Sequence, residues 1–508
     1  MKKFMCLLAL MLLCAAGACA QSFALIVNGA EVTVHTTEIE GEEWLFLPSF
    51  ADASACEQDG LFVMQSANVN TLFLFSDDPV NEGREYIDGS DKHQARTTGS
   101  MALITPDGTV SHAGRLRQLR GRGNGTWGNA KKPYQFKLED RADLLGIGQP
   151  ARTWVLLAEM SDATMLRNRI ALDLALEMGL SETSHSEYVD LYYDGEYRGL
   201  YLLAEKVEIG EHRVDEMDYD DLIEAWNQNA GLGDPANLPE AKGENALGNE
   251  IHYIDGLYDN SLVDAGAYLL EMEDEHFTLS DRCWFRMDDG SVLALKNPEN
   301  ASKAMVSYVS QQLAKARRAL ATGEDIETWF DVDAFARTAL LYELSYSDSG
   351  FHYSSTFFVL PAGETRFRPG PVWDFDLTWG YYRTGVNASG AGVKNESGWL
   401  PEFYSAPQFA SRMKEIYRQE MLPLIETTLL GETDGQWLKT FDHYNEQIAQ
   451  ARAMNALRWP HTPFWRFEPD AGTEEAVSRL RSFITERSRW LADAMGDELS
   501  LWAWAPYA

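Results

Sequence analysis

The sharpest local constraint in this 508-residue chain is the pair Asp194-Gly195, set between the strand-like runs 188–193 and 197–204. Two such runs joined by Asp-Gly predict a β-hairpin, because few residues tolerate the left-handed backbone of so tight a turn. Shorter β-branched and aromatic runs at 24–27, 32–34, 43–47 and 71–75 predict a small β-rich domain over 21–95. Residues 211–262 are acidic and bear Gly, Asn and Pro, the composition of an insertion. Helical periodicity takes over at 306–320 and 332–344, and again at 474–495 near the end. A second hairpin is expected from 356–360 and 366–372, turning at Pro361-Ala362-Gly363.

The first twenty residues read as an address rather than as structure. Lys2 and Lys3 precede an apolar run at 4–16 and then Gly17-Ala18-Cys19-Ala20, the order of a secretory signal peptide. Cleavage before Gln21 competes with lipidation of Cys19. With Cys6, Cys14 and Cys19 in the leader, only Cys56 and Cys283 remain, so at most one disulfide is available. An exported protein, extracellular or at the cell surface, is expected. No apolar run outside the leader is long enough for a transmembrane helix.

Lys and Arg number 43 against 78 Asp and Glu, a formal charge of −35, which argues against a nucleic-acid partner. Against that background, residues 109–138 contain no acid at all but hold Arg115, Arg117, Arg120, Arg122, Lys131, Lys132 and Lys137. At the centre of this island runs Gly121-Arg122-Gly123-Asn124-Gly125-Thr126-Trp127-Gly128. Such a turn lets backbone N–H groups approach an anion closely, with lysines on the next strand as point charges for phosphate. The competing reading is a plain Gly-rich hairpin whose cations pair with acidic neighbours.

Asp162 is a candidate N-cap for a helix running to Met178. Its apolar stripe is Leu166, Ile170, Ala171, Leu174 and Met178, and Arg167 falls inside it, whereas Arg169, Asp173 and Glu177 form the face expected to be solvated. A charge on the core side needs a partner, either a buried carboxylate or a ligand phosphate. Further on, Asp348 precedes the first strand of the second hairpin, and Asp374 and Asp376 follow the other. An antiparallel hairpin brings those ends together. Three converging carboxylates call for a cation or a proton, and oxygen ligands favour Mg²⁺, Mn²⁺ or Ca²⁺.

The segments Arg120-Gly-Arg-Gly-Asn-Gly-Thr-Trp127, Lys131-Lys-Pro-Tyr134, Asp162 to Asn168 with Trp154, Asp194 to Glu205, and Gly370-Pro-Val-Trp-Asp-Phe-Asp376 together resemble the CotH family of atypical kinases. The similarity runs over about 110–210 and 265–385. It implies an α+β chain with an atypical protein-kinase-like two-lobed domain at 96–395, behind the small N-terminal β-domain and followed by a helical C-terminal extension at 396–508. The implied activity is Mg²⁺- or Mn²⁺-dependent transfer of the ATP γ-phosphate to Ser/Thr of secreted or surface proteins. Tyr134 would stack on adenine and Glu205 would lie at the adenine edge. Lys132 would meet phosphate, with Lys137 as its competitor, and Arg122, Asn124 and Arg167 would complete the nucleotide site. Asp348 would orient or deprotonate the acceptor hydroxyl, and Asp374 would hold the metal with help from Asp376.

One departure stands out. Family members place an Asn about five residues after the loop Asp, whereas here the stretch reads Gly350-Phe-His-Tyr-Ser-Ser355. Ser354 or Ser355 offers a weaker ligand, and His352 reads as structural. A catalytically weak pseudokinase acting as a surface binding module is therefore the main alternative. A carbohydrate-active enzyme, suggested by export, Trp content and paired acids, is the second; it gives the basic island no role.

Overall fold

Asp194 and Gly195 both adopt left-handed φ, 50° and 82°, and close the hairpin that the sequence demands. The computed structural model of the chain describes residues 21–496 apart from 28–29, 49–54, 59–60, 92–93, 259–261, 274–280, 324, 348–349, 352–353, 382–387, 390–391, 394–397 and 461–471. The expected leader with Cys19, and also Asp348 and His352, lie outside the described residues. Contacts group the chain into two units. The first comprises Met1–Arg169, His185–Lys206 and Asp442–Arg466; the second comprises Ile170–Ser184, Val207–Phe441 and Phe467–Ala508.

In the first unit, β1 (Ser22–Val27) and β2 (Ala30–His35) form an antiparallel pair. Next, β3 (Thr37–Ile39), β4 (Glu42–Leu47), β5 (Ala55–Gln58) and β6 (Leu61–Gln65) make a sheet of order β3-β4-β6-β5. Seven further strands close a barrel: β7 (Asn70–Ser76), β8 (Arg96–Ile104), β9 (Val110–Gly121), β10 (Tyr134–Ala142), β11 (Ala151–Leu157), β12 (Ser186–Tyr193) and β13 (Glu196–Glu205). Alternation sorts their residues. Leu72, Leu74, Leu191 and Tyr193 join the barrel interior, whereas Phe73 and Tyr192 pack outward with Phe23, Val34 and Phe46 of the small sheets.

The α+β class holds, but the closed barrel is not anticipated by the sequence. Closure depends on the parallel pairing of β7 with β12, Leu72 opposite Leu191, for which no local pattern exists. The expected division at residue 95 consequently falls between β7 and β8, which are hydrogen-bonded neighbours from Thr71↔Ile104 to Ser76↔Gly99.

The second unit is built on a seven-stranded antiparallel sheet of β14 (Glu240–Glu244), β15 (Glu250–Ile254), β16 (Tyr268–Glu273), β17 (Trp284–Arg286), β18 (Val292–Asn297), β19 (Thr356–Leu360) and β20 (Arg368–Pro369), in the order β14-β15-β17-β18-β16-β19-β20. The segment 211–262 is thus no appended insertion, since its β15 pairs with β17 through Ile251↔Phe285. The second hairpin also forms, with a shorter return strand than expected, through Phe358↔Pro369 and Val359↔Arg368.

Helices form where stripes and caps agree. Lys303–Thr322 starts at Ser302, whose side chain accepts from the Met305 N–H, and ends at left-handed Gly323. It buries Met305, Val309, Leu313, Ala316 and Leu320 along one side. Val332–Ser345 is capped by Asp331, and Thr473–Ala494 closes the described chain. The helix after Asp162 begins at Arg167, as Arg167–Glu177, and it is buried nearly all round: Arg169 and Asp173 are buried too, against the expected solvated face. Cys283 is a free buried thiol whose burial pushes its pKa to about 12, so no disulfide joins it to Cys56. Among the described residues no helix is long and apolar enough to cross a membrane.

Candidate functional site

In the barrel unit the Gly-rich turn folds as a short 3-10 helix, Gly125–Gly128, after Gly123 at φ 85°. A Cβ at Gly123 would lie 2.3 Å from the Thr126 hydroxyl, so both backbone angle and space require glycine there. Part of the turn's N–H supply is used internally: Trp127 donates to the Asn124 carbonyl at 3.2 Å, Asn129 to Thr126 at 3.1 Å and Arg122 to Pro133 at 3.1 Å. Asn124 is exposed and Arg122 half-buried. The basic island is partly neutralised as well, since Arg115 makes a two-pronged contact with Asp77, both distances 2.7 Å.

The two adjacent lysines have different environments. Lys132 is half-buried; its Nζ donates to the Trp127 carbonyl at 2.5 Å and sits 4.9 Å over the Trp127 ring. Lys131 is wholly buried, donates to the carbonyls of Ala158 (2.7 Å) and Leu200, and lies 4.4 Å over the Tyr201 ring. Burial drives its pKa well below the usual lysine range, against the pull of Glu159 and Asp190. Lys137 is exposed on β10.

Three expected nucleotide contacts are otherwise engaged. Tyr134 is a core residue rather than a stacking platform: it is wholly buried, donates its hydroxyl to Asp88 at 2.7 Å and meets Tyr193 edge-on at 5.4 Å. The reason is strand parity, for Tyr134, Phe136 and Leu138 all belong to the barrel interior. Arg167 finds a buried carboxylate, forming an ion pair with Asp162. The same Asp162 accepts from the N–H groups of Thr164 (2.9 Å), Leu166 (3.1 Å) and Arg167 (3.0 Å), which fixes the helix start. Glu205 does end β13, but its carboxylate accepts from the His185 N–H at 2.8 Å and lies 3.0 Å from His185 Nδ1.

In the second unit the hairpin brings its ends together: the Ser355 hydroxyl donates to Asp374 Oδ2 at 3.3 Å. Asp374 is exposed and Asp376 buried, between half-buried Trp373 and buried Trp379. Tyr346, Phe351, Ser355, Asp374 and Trp379 all have φ between 53° and 69°, a left-handed backbone that bulky side chains avoid. Such strain concentrates at sites where the fold over-determines the backbone. The Trp379 N–H donates to the Ser345 carbonyl at 2.6 Å, and the Thr378 hydroxyl donates to Phe375 at 2.7 Å. An exposed carboxylate with a hydroxyl beside it is an oxygen-only donor set, which suits a hard cation such as Mg²⁺ that completes its shell with phosphate and water. Among the described residues no group of three His, Cys, Asp or Glu is arranged to hold a metal.

Two further residues stand out here, neither of them among the expected site residues. Lys131, rather than its neighbour, is the lysine the barrel buries. Arg487, in the helix Thr473–Ala494, is wholly buried against Glu343.

A family model described as CotH kinase protein matches residues 119–491, well over half of the chain and including both the Gly-rich turn and the C-terminal helix through Arg487. No curated protein matches.

Proposed function

Because the chain belongs to the CotH kinase family, we propose that it is an exported phosphotransferase that moves the ATP γ-phosphate onto Ser or Thr hydroxyls of secreted or surface proteins. The contact between Ser355 and Asp374 carries this reading, because it sets an exposed carboxylate at a strained hairpin end within the matched region. The leader expected at 1–20 makes export, with or without a lipid on Cys19, part of the proposal.

Asp374, helped by Asp376, would hold Mg²⁺ or Mn²⁺, which supplies neutralising charge to the phosphates. Lys132, Arg122 and Asn124 would meet phosphate oxygens, with Lys137 in reserve. Asp348 would accept the proton of the acceptor hydroxyl as its oxygen bonds to phosphorus and the bond to the β-phosphate oxygen breaks. Tyr134 and Arg167 have no part in this scheme, since both are engaged inside the fold.

The test is incubation of the purified chain with γ-labelled ATP and Mg²⁺ or Mn²⁺, beside Asp374→Ala and Asp348→Asn. Label that both variants abolish supports the enzyme. A second reading, a nucleotide-binding pseudokinase, draws on the missing Asn after Asp348 and on Ser355, whose hydroxyl is turned to Asp374. ATP that raises the melting temperature without any label transfer would favour it.

A further inference from the structure

The C-terminal helix Thr473–Ala494 carries an arginine in its apolar stripe. Ala476, Leu480, Ile484, Leu491 and Ala494 are buried at helical spacing, and Arg487 sits among them with no exposed surface. Its Nε donates to the Glu343 carbonyl at 2.8 Å, one terminal nitrogen to the Glu343 carboxylate at 2.9 Å, and the other to the Ala388 carbonyl at 3.3 Å. The guanidinium is flanked by the rings of Tyr346 at 4.9 Å and Trp490 at 4.5 Å. Glu343 is equally buried, and its carboxylate also accepts from the Tyr404 hydroxyl at 2.6 Å and the Val393 N–H at 2.9 Å.

The place of this pair gives it meaning. Glu343 lies in the last turn of Val332–Ser345, and Tyr346 ends that helix in a left-handed conformation. Asp348 follows two residues later in the sequence. The chain returns to the same spot after the acids, where the Trp379 N–H reaches the Ser345 carbonyl, three residues beyond Asp376. One joint therefore ties the return of the Asp374–Asp376 segment to the end of the helix Val332–Ser345. A buried ion pair is a costly way merely to add stability, and its planar, multi-pronged geometry is better suited to fixing an arrangement.

We propose that Arg487 is a positioning residue for phosphate transfer: acting through Glu343 and Tyr346, the C-terminal helix fixes the joint to which the Asp374–Asp376 segment is tied. Arg487 touches no reactant. This inference rests on the phosphotransferase reading.

The full chain is compared with Arg487→Lys, Arg487→Met and Tyr404→Phe by melting, by ATP-Mg²⁺ transfer kinetics and by amide hydrogen exchange. Arg487→Lys and Tyr404→Phe should fold and lose about tenfold or more in kcat while the KM for ATP stays within about twofold. Exchange should quicken at 343–347 and 374–381 and not across the β14–β18 part of the sheet. Folded variants that keep kcat within about twofold of the parent overturn the proposal. Should Arg487→Met fail to fold, Tyr404→Phe, which removes a single hydroxyl, decides. Should the parent chain transfer no phosphate, the phosphotransferase reading fails by itself and exchange judges the joint. Quickening confined to those segments supports it; uniform or absent change overturns it.

Discussion

Ser355 reaches Asp374 across the mouth of the second hairpin, with a hydroxyl-to-carboxylate distance of 3.3 Å. This hydroxyl lies at the end of Gly350-Phe-His-Tyr-Ser-Ser355, the stretch that holds no Asn. Asp374→Ala should abolish the Mg²⁺-dependent part of the melting-temperature rise caused by ATP. Ser355→Ala should leave the fold intact and weaken the apparent Mg²⁺ affinity by about tenfold, the scale of losing an outer hydrogen bond to a ligand. Titration of Mg²⁺ at fixed ATP measures both, and an unchanged Asp374→Ala profile would remove the metal role from this loop.

Lys131 and Lys132 should separate stability from nucleotide binding. Lys131 holds two carbonyls inside the barrel, so Lys131→Ala leaves both without their donor and should lower the urea midpoint. Lys132 is half-buried and its ammonium contacts only the local turn, through the carbonyl and ring of Trp127. Lys132→Ala should melt near the parent temperature and bind ATP about tenfold more weakly, a loss of ~1.4 kcal/mol. The opposite pattern, with Lys131→Ala stable and unable to bind ATP, would reassign the phosphate contact.

Asp162 satisfies three backbone N–H groups and the Arg167 guanidinium at once. Removing this carboxylate takes the acceptor from three buried N–H groups and breaks a buried ion pair, so Asp162→Ala should cost about 3–5 kcal/mol in chemical denaturation. Because Arg167 is bound to Asp162, an Arg167→Met chain that folds should keep its ATP affinity. A tenfold fall in isothermal titration would instead place a phosphate on Arg167.

What was legible in the sequence was local. The Asp194-Gly195 turn, the stripes of Lys303–Thr322 and Thr473–Ala494 and the hairpin before Asp374 each follow from residues within one or two turns of each other. Barrel closure joins β7 to β12 across more than a hundred residues, and nothing near either strand announces its partner. The burial of Tyr134 is readable, since Tyr134, Phe136 and Leu138 alternate as an inward face. The rule that flagged Arg167, a charge within an apolar stripe, applies unchanged to Arg487, which the sequence presents among Arg479, Arg481 and Arg489. Which of Lys131 and Lys132 turns inward was not readable, because both precede the first residue of β10 and no alternation reaches them.

Stability should fall as pH rises through neutrality, and Glu182 is the residue to test. Arg368 lies 2.9 Å from Glu182 and also pairs with Glu216, so two carboxylates share one guanidinium. Burial raises the Glu182 pKa from its usual 4.5 to about 7; Arg368 opposes the rise, whereas Glu216, Asp215 and Asp331 add to it. The folded chain therefore binds this proton more tightly than the unfolded chain does. Its stabilising contribution is fully present below about 4.5, shrinks as pH rises, and is gone once pH passes about 7. Burial likewise raises Asp220 to about 7, which tilts stability the same way. Glu182→Gln stays neutral at every pH and can still accept from Arg368. Its urea-derived stability should change less between pH 5 and 8 than the parent's, by on the order of 2 kcal/mol given about 1.4 kcal/mol per pH unit. Parallel profiles for the two chains would mean that Glu182 is already ionised in the fold and that Arg368 outweighs burial.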